Sequence, residues 1–372
     1  MRPGDPRYNS AVAVRLTGAL DHAALREALT AVVARHEALR TTFEEADGHP
    51  VQRGGPGGPA VPLPVRDTGD LDADLRAEYA RPFDLEHGPL LRCPLLRESG
   101  TAHVLPADGP SHRHGRLVDG RGPGRAVHRL RALAPGSRPD LPAPATQYPD
   151  FAVWQRRRLS GTRLDEQLAH WKEKLAGAVA PELPWTGPGA ARRPPRAPCT
   201  PSPSPAALTT RLRDLAREQP RTLHTALVAV TQALLAPLVR PGRHHRRLPD
   251  PGRSRTDLER TVGFFVKTVV LRTPVDASGS FRELLARAAG TVGDAFAHGD
   301  TPFERIVEAV GAPREAGRNP LFDVMVLLHP DPPAATAPRG LATTPVTVPR
   351  QARHLRPEHR VRAGRRGADR AA

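Results

Sequence analysis

The chain is poor in the residues that report most directly on chemistry. Its 372 residues include two cysteines, Cys93 and Cys199, two methionines, three tyrosines and three tryptophans, and aromatics make up only 4%. Two thiols can build neither a disulfide framework nor a zinc cluster, so each is expected to be a buried or bystander group. No run approaches the eighteen apolar residues of a membrane helix, and no secretory pattern opens the sequence. The expectation is a soluble, cytoplasmic chain with no membrane partner, no bound metal and no directly bound cofactor.

What the chain has in excess is positive charge, +16 with a pI near 11.2. Such a value ordinarily points to nucleic acid, because clustered Arg neutralises phosphates. Its distribution argues otherwise. Segments 103–140, 186–200, 239–250 and 351–372 carry +4, +3, +3 and +5, nearly the whole excess. In the same four segments Pro, Gly and Arg crowd together and hydrophobic periodicity fails, so each is expected to be irregular. They lack aromatic interleaving and a binding motif, and no nucleic-acid partner is expected.

Between these patches the pattern is ordinary. Ala11–Leu16 alternates as a half-buried strand, and Asp21 caps a helix that carries Leu25, Leu29, Val32, Val33 and Leu39. Asp47-Gly48 marks a turn. An apolar strand is expected to end near Leu96, and no element is placed between His103 and Asp140. A helix runs through Leu168, Trp171 and Leu175, and another covers Ala206–Glu218. Thr222–Leu235 is apolar nearly all round and is expected to be buried. Thr261–Leu271 reads as a strand and Ser280–Phe296 as a helix. Alternating strands and helices favour an α/β or mixed α+β pair of layered domains. The expected divisions are 1–175, a linker at 176–205, and 206–372.

Five patterned blocks resemble, in family order, the condensation domains of non-ribosomal peptide synthetases. They are Arg35-His36-Glu37-Ala38-Leu39-Arg40-Thr41-Thr42-Phe43; Tyr148 to Gln155; Val262-Gly263-Phe264-Phe265-Val266-Lys267-Thr268; His298-Gly299-Asp300-Thr301-Pro302-Phe303-Glu304; and Arg318-Asn319-Pro320-Leu321-Phe322-Asp323-Val324-Met325. The resemblance begins inside the family's domain, which implies a missing start, and Lys267 stands where the family usually has Asn. It implies two chloramphenicol-acetyltransferase-like lobes forming a V-shaped pseudo-dimer. It also implies donor and acceptor peptidyl carrier domains that deliver phosphopantetheine-tethered substrates, with an adenylation domain as neighbour. The family's central HHxxxDG motif supplies the His that deprotonates or orients the acceptor amine, a task suited to an imidazole titrating near neutrality. A stand-alone acyltransferase of the same superfamily and a non-catalytic interaction domain are the alternatives.

That motif is absent between Leu96 and Tyr148. His112 and His114 with Asp119-Gly120 have the wrong spacing, and His244-His245 is followed by two arginines. The run Pro106-Ala107-Asp108-Gly109-Pro110-Ser111-His112-Arg113-His114-Gly115-Arg116-Leu117-Val118-Asp119 nevertheless has an allowed coding that, read one base later, gives Leu-Leu-Thr-Val-His-His-Ile-Val-Thr-Asp-Gly-Trp-Ser. The family motif lies there with its usual flanks, unbroken over the run. The same shift turns Gly242–Pro251 into Asp-Asp-Ile-Thr-Val-Gly-Ser-Pro-Ile, and Arg353–Glu358 into Ala-Thr-Phe-Asp-Leu. Compensating frame slips, as mutations or sequencing errors, account for three of the four basic patches, because GC-rich DNA read out of register yields Arg, Pro, Gly and Ala.

The lost site is therefore expected at Ser111, His112, His114 and Asp119, with no catalytic residue in register. By resemblance Arg253 is the Arg that pairs with the motif Asp. Trp154, His298, Asp300 and Asn319 are structural or tunnel-side positions.

Overall fold

The computed structural model describes residues 9–55, 60–110, 143–178, 205–238, 245–250, 255–258, 261–276, 278–313, 320–322, 324–329, 340–348 and 358–362. Along the chain these form β1 (Asn9–Gly18), α1 (His22–Arg35), β2 (Thr41–Ala46), β3 (His49–Gly54), β4 (Val65–Asp67), α2 (Leu71–Ala80), β5 (Leu95–Arg97) and β6 (Ala102–Pro110). They continue with α3 (Tyr148–Arg158), α4 (Thr162–Lys174), α5 (Ala206–Glu218), α6 (Leu223–Leu235), β7 (His245–Asp250), β8 (Lys267–Arg272), α7 (Phe281–Ala297) and α8 (Phe303–Val310). Strands β9 (Met325–His329), β10 (Leu341–Val346) and β11 (Glu358–Arg362) follow. Contacts group the chain into two compact units that are discontinuous in sequence. One takes Met1–Gln155, Arg253–Phe265 and Pro332–Gln351; the other takes Arg156–Gly252, Val266–Asp331 and Ala352–Ala372.

In the first unit a sheet of order β10-β1-β6-β5-β4 is filled by alternation. Leu105 and Ala107 of β6 join Leu25, Ala28 and Leu29 of α1 in one cluster, whereas Val104 joins Leu75 and Tyr79 of α2 in another. Successive residues of a strand face opposite sides, so helices cover both faces of β6. The Asp21 carboxylate accepts from the amides of Ala23 and Ala24 at 2.9 and 3.0 Å, starting α1 as expected. Asp47 and Gly48, at φ 52° and 73°, make the two-residue turn of the β2–β3 hairpin.

The second unit carries a sheet of order β11-β9-β7-β8. Its core joins Val269 and Leu271 of β8, Ala226 and Val228 of α6, Leu285 and Ala288 of α7, and Trp171 of α4. Ser280 and Glu283 form a reciprocal capping box at the start of α7. A left-handed Gly161 (φ 56°) separates α3 from α4.

Five expectations are corrected. Ala102–Pro110 is not irregular but a strand between β1 and β5, and its residues 103–110 are all buried. His245–Asp250 and Glu358–Arg362 are likewise strands, β7 pairing with β8 and β11 with β9. Neighbouring strands supply the ladder that local composition does not announce. Segment 186–200 lies outside the described residues. Strand β8 begins only at Lys267, because Phe265 turns into an aromatic cluster with Tyr148 and Phe151. Helix α6 is buried on one side, yet Val230 and Leu234, one turn apart, are exposed. No described helix is long and apolar enough to cross a membrane.

Candidate functional site

Strand β6 leads directly into the expected location of the lost motif. Ser111, His112, His114 and Asp119 lie outside the described residues, as do Arg253 and Asn319. The described end of β6 carries an ionic cluster that sequence reasoning missed. Asp108 is fully buried, accepting from Arg92 Nη2 at 2.9 Å and Asn9 Nδ2 at 3.4 Å, while its Oδ1 is buried without a hydrogen bond. Arg92 also lies 3.6 Å from Glu78 and stacks 3.7 Å above the Phe83 ring. Glu78, itself buried, pairs with Arg66 and Arg81.

Burial pushes the Asp108 carboxyl up to about 7, although Arg92 pulls in the opposite direction. A carboxyl titrating near neutrality could exchange a proton, but full burial keeps substrate from it. The cluster therefore holds β6 and α2 together rather than reacting. The only sequence signal is an arginine, Arg92, set among Leu90, Leu91 and Leu95. Desolvation also pushes the neighbouring Cys93 thiol up to about 12, consistent with an inert buried thiol. Cys199 lies outside the described residues.

Trp154, on α3, packs against Phe151 at 5.7 Å and lies beneath Arg255 at 5.2 Å, where Arg255 also pairs with Asp257 at 2.8 Å. Asp300 follows α7 and pairs closely with Lys267, with Arg158 and Arg163 each 4.0 Å away. Three cations around one carboxylate fix the turn between α7 and α8. The Lys267 side chain at the family's Asn position takes part in that pairing. The His298 carbonyl accepts from Trp171 Nε1 at 3.1 Å. His298 also stacks on His170, with ring centres 3.5 Å apart and planes 6° from parallel. Among the described residues, His170, Asp294 and His298 are the group whose donor atoms could hold a metal ion, all lying within 4.8 Å of one another.

Known proteins give this geometry its context. A family model described as "Condensation domain" matches residues 1–338. The chain is 37% identical over 351 residues to a linear gramicidin synthase of Brevibacillus parabrevis, covering 88% of this chain and 6% of that protein. It is 35% identical to phosphinothricin tripeptide synthetase PhsC of Streptomyces viridochromogenes, covering 88% of this chain and 31% of that one. The chain thus spans a minor part of these relatives. Among solved structures it is similar to the X-domain from teicoplanin biosynthesis, at TM-score 0.79 and 26% identity, covering 95% of this chain and 80% of that one. The first condensation domain of the CDA synthetase shares the fold, at TM-score 0.73 and 19% identity over 93% and 82% of the two chains. The residues matched by the family model run from β1 through β9 of this chloramphenicol-acetyltransferase-like fold, and the chain belongs to the condensation-domain family of non-ribosomal peptide synthetases.

Proposed function

We propose that the gene encodes an amide-forming condensation domain whose catalytic motif is displaced by a one-base slip, so that the chain as written is impaired or inactive. In the intended reaction the acceptor amine, tethered by phosphopantetheine to one carrier, attacks the donor thioester on another. The C–N bond forms, the C–S bond breaks, and the carrier thiol leaves with a proton. Loss of the general base removes about two to four decades of rate.

The observation that carries this reading is the unbroken shifted run beginning at Pro106. A second observation supports it: the run begins inside a mid-sheet strand whose written residues suit it poorly. Pro106 and Pro110 lie opposite Ala13 and Asn9 and offer no amide hydrogen, and Asp108 is buried. The shifted residues Leu-Leu-Thr-Val-His replace both prolines and the buried Asp, and Thr and Val among them favour strands.

Sequencing the coding DNA across codons 96–145 tests the slip, and bases that forbid the shifted codons sink it. Amide formation between charged donor and acceptor carriers tests the activity. The frame-restored chain is expected to form product and the written chain to form at least about 100-fold less, the lower bound for general base loss. Equal rates would overturn the claim of impairment.

A second reading, a non-catalytic interaction domain, is favoured by one structural relative. The similar X-domain, at TM-score 0.78 and 27% identity, is solved in a complex with OxyB. A frame-restored chain that binds carriers or another partner yet forms no amide would select this reading.

A further inference from the structure

We propose that His170, Asp294 and His298 form a divalent-cation site, suited to Zn²⁺, that clips α4 to the end of α7 independently of the condensation chemistry. The site is built by two helices. Asp294 and His298 are one turn apart, so their side chains share a face, and His170 reaches them from α4. Asp294 Oδ1 lies 3.9 Å from His170 Nε2 and 3.6 Å from His298 Nδ1. Both separations are too long for hydrogen bonds. They are close to the edge of a tetrahedral zinc shell, roughly 3.3 Å for ligand bonds of about 2.0–2.2 Å. The three donor atoms all lie within 4.8 Å of one another, so closing the site around one ion needs the two imidazole rings to reorient as well as the carboxylate to approach.

Two features favour a cation there over a fortuitous cluster. His170 Nε2 is buried and has no hydrogen bond, which leaves that ring nitrogen without a partner. Lys174 binds the other carboxylate oxygen, Oδ2, at 2.6 Å, which orients Asp294 so that Oδ1 faces the imidazoles, as an outer-shell partner does. Two imidazoles and one carboxylate suit Zn²⁺ better than Mg²⁺ or Ca²⁺ and leave a fourth position for water.

Three features oppose binding and set its requirements. The parallel rings must open so that each lone pair points at the ion. His298 Nδ1 must also give up its 2.9 Å bond to the Asp294 carbonyl, which keeps the His298 backbone amide at 3.2 Å as a partner. The Lys174 charge weakens the site, so affinity is expected to be modest.

The test uses the untagged, metal-stripped full chain and titrates Co²⁺ as a spectroscopic probe, followed by Zn²⁺ displacement. One equivalent of Co²⁺ should raise a visible d–d band that Zn²⁺ removes. His170→Ala and Asp294→Asn should each weaken binding more than about tenfold, at least what loss of an outer-shell partner costs. His170→Gln, which keeps similar bulk, guards against misfolding, with far-ultraviolet circular dichroism as the check. Absence of a saturable band in the folded chain, or unchanged binding in the folded variants, would overturn the proposal.

Discussion

Arg92 and Asp108 are joined twice: their backbones exchange two 3.0 Å hydrogen bonds across an isolated antiparallel bridge, and their side chains form a buried 2.9 Å ion pair. The pair fastens the last residues of β6 to the segment that precedes β5. Its carboxyl is the group of this sheet that burial raises into the neutral range.

The Asp108 carboxyl is raised to about 7 by burial, above its unfolded value near 3.8. The folded state therefore holds the proton more tightly, and this group's stabilising contribution is full below about pH 4 and is lost as pH rises through 7. Urea unfolding of the wild-type chain should show this loss of stability between those limits. Asp108→Asn should flatten that part of the profile and gain on the order of 2 kcal/mol at pH 8, while its amide oxygen still accepts from Arg92. A lower stability than wild type at pH 8 would contradict the assignment.

Replacing Pro106 by Leu and Asp108 by Thr, two of the shifted-frame residues, restores a backbone donor and removes a buried charge. Pro106→Leu alone is expected to be more stable by about 1 kcal/mol because it restores a backbone donor, whereas adding Asp108→Thr removes the closest carboxylate of Arg92 and is expected to cost stability. The measurement is the urea midpoint at constant m-value, and a decrease for Pro106→Leu would argue that the written strand is the native one.

Ser280→Ala removes the hydroxyl that accepts from the Glu283 amide at 3.3 Å and breaks the capping box of α7. A loss of about 1 kcal/mol is expected in thermal unfolding. Ser280→Asp should recover most of it, because a carboxylate also accepts at an N-cap.

At Gly263 an added methyl would fall inside van der Waals contact with the Tyr148 ring, which packs edge-on against Phe265 at 5.3 Å. Gly263→Ala is expected to destabilise the first unit by about 1–3 kcal/mol through overpacking, measured as a lowered urea midpoint. The companion variant Gly263→Ala/Tyr148→Leu should relieve part of that loss.

The features legible in the sequence are those whose cause is local. Asp21, Ser280 and the Asp47-Gly48 turn satisfy backbone groups within three residues of themselves, so their effects need no knowledge of the fold. The 3.6-residue pattern of α7 is equally plain. Strands β6, β7 and β11 are not, because their written residues include Pro, Asp and Arg, and the long ladder of β6 is made with the distant β1. The ionic knot around Asp300 is visible only as a motif, since Lys267, Arg158 and Arg163 approach it from three separate segments. Asp108 falls within the shifted-frame run, and its buried pairing with Arg92 depends on a bridge that no periodicity reveals.

The placement of β10 bears on how the protein is made. Strand β1 leaves the ribosome long before one of its two neighbours, β10, which is translated only after β7, β8, β9 and the helices of the second unit. At about 5–20 residues per second, the nascent sheet waits tens of seconds with one side of β1 open. During that interval the exposed ladder is a template for pairing with another nascent chain. Yield during expression should therefore be governed by how well that open edge is shielded until Leu341–Val346 arrives, rather than by the stability of the finished protein.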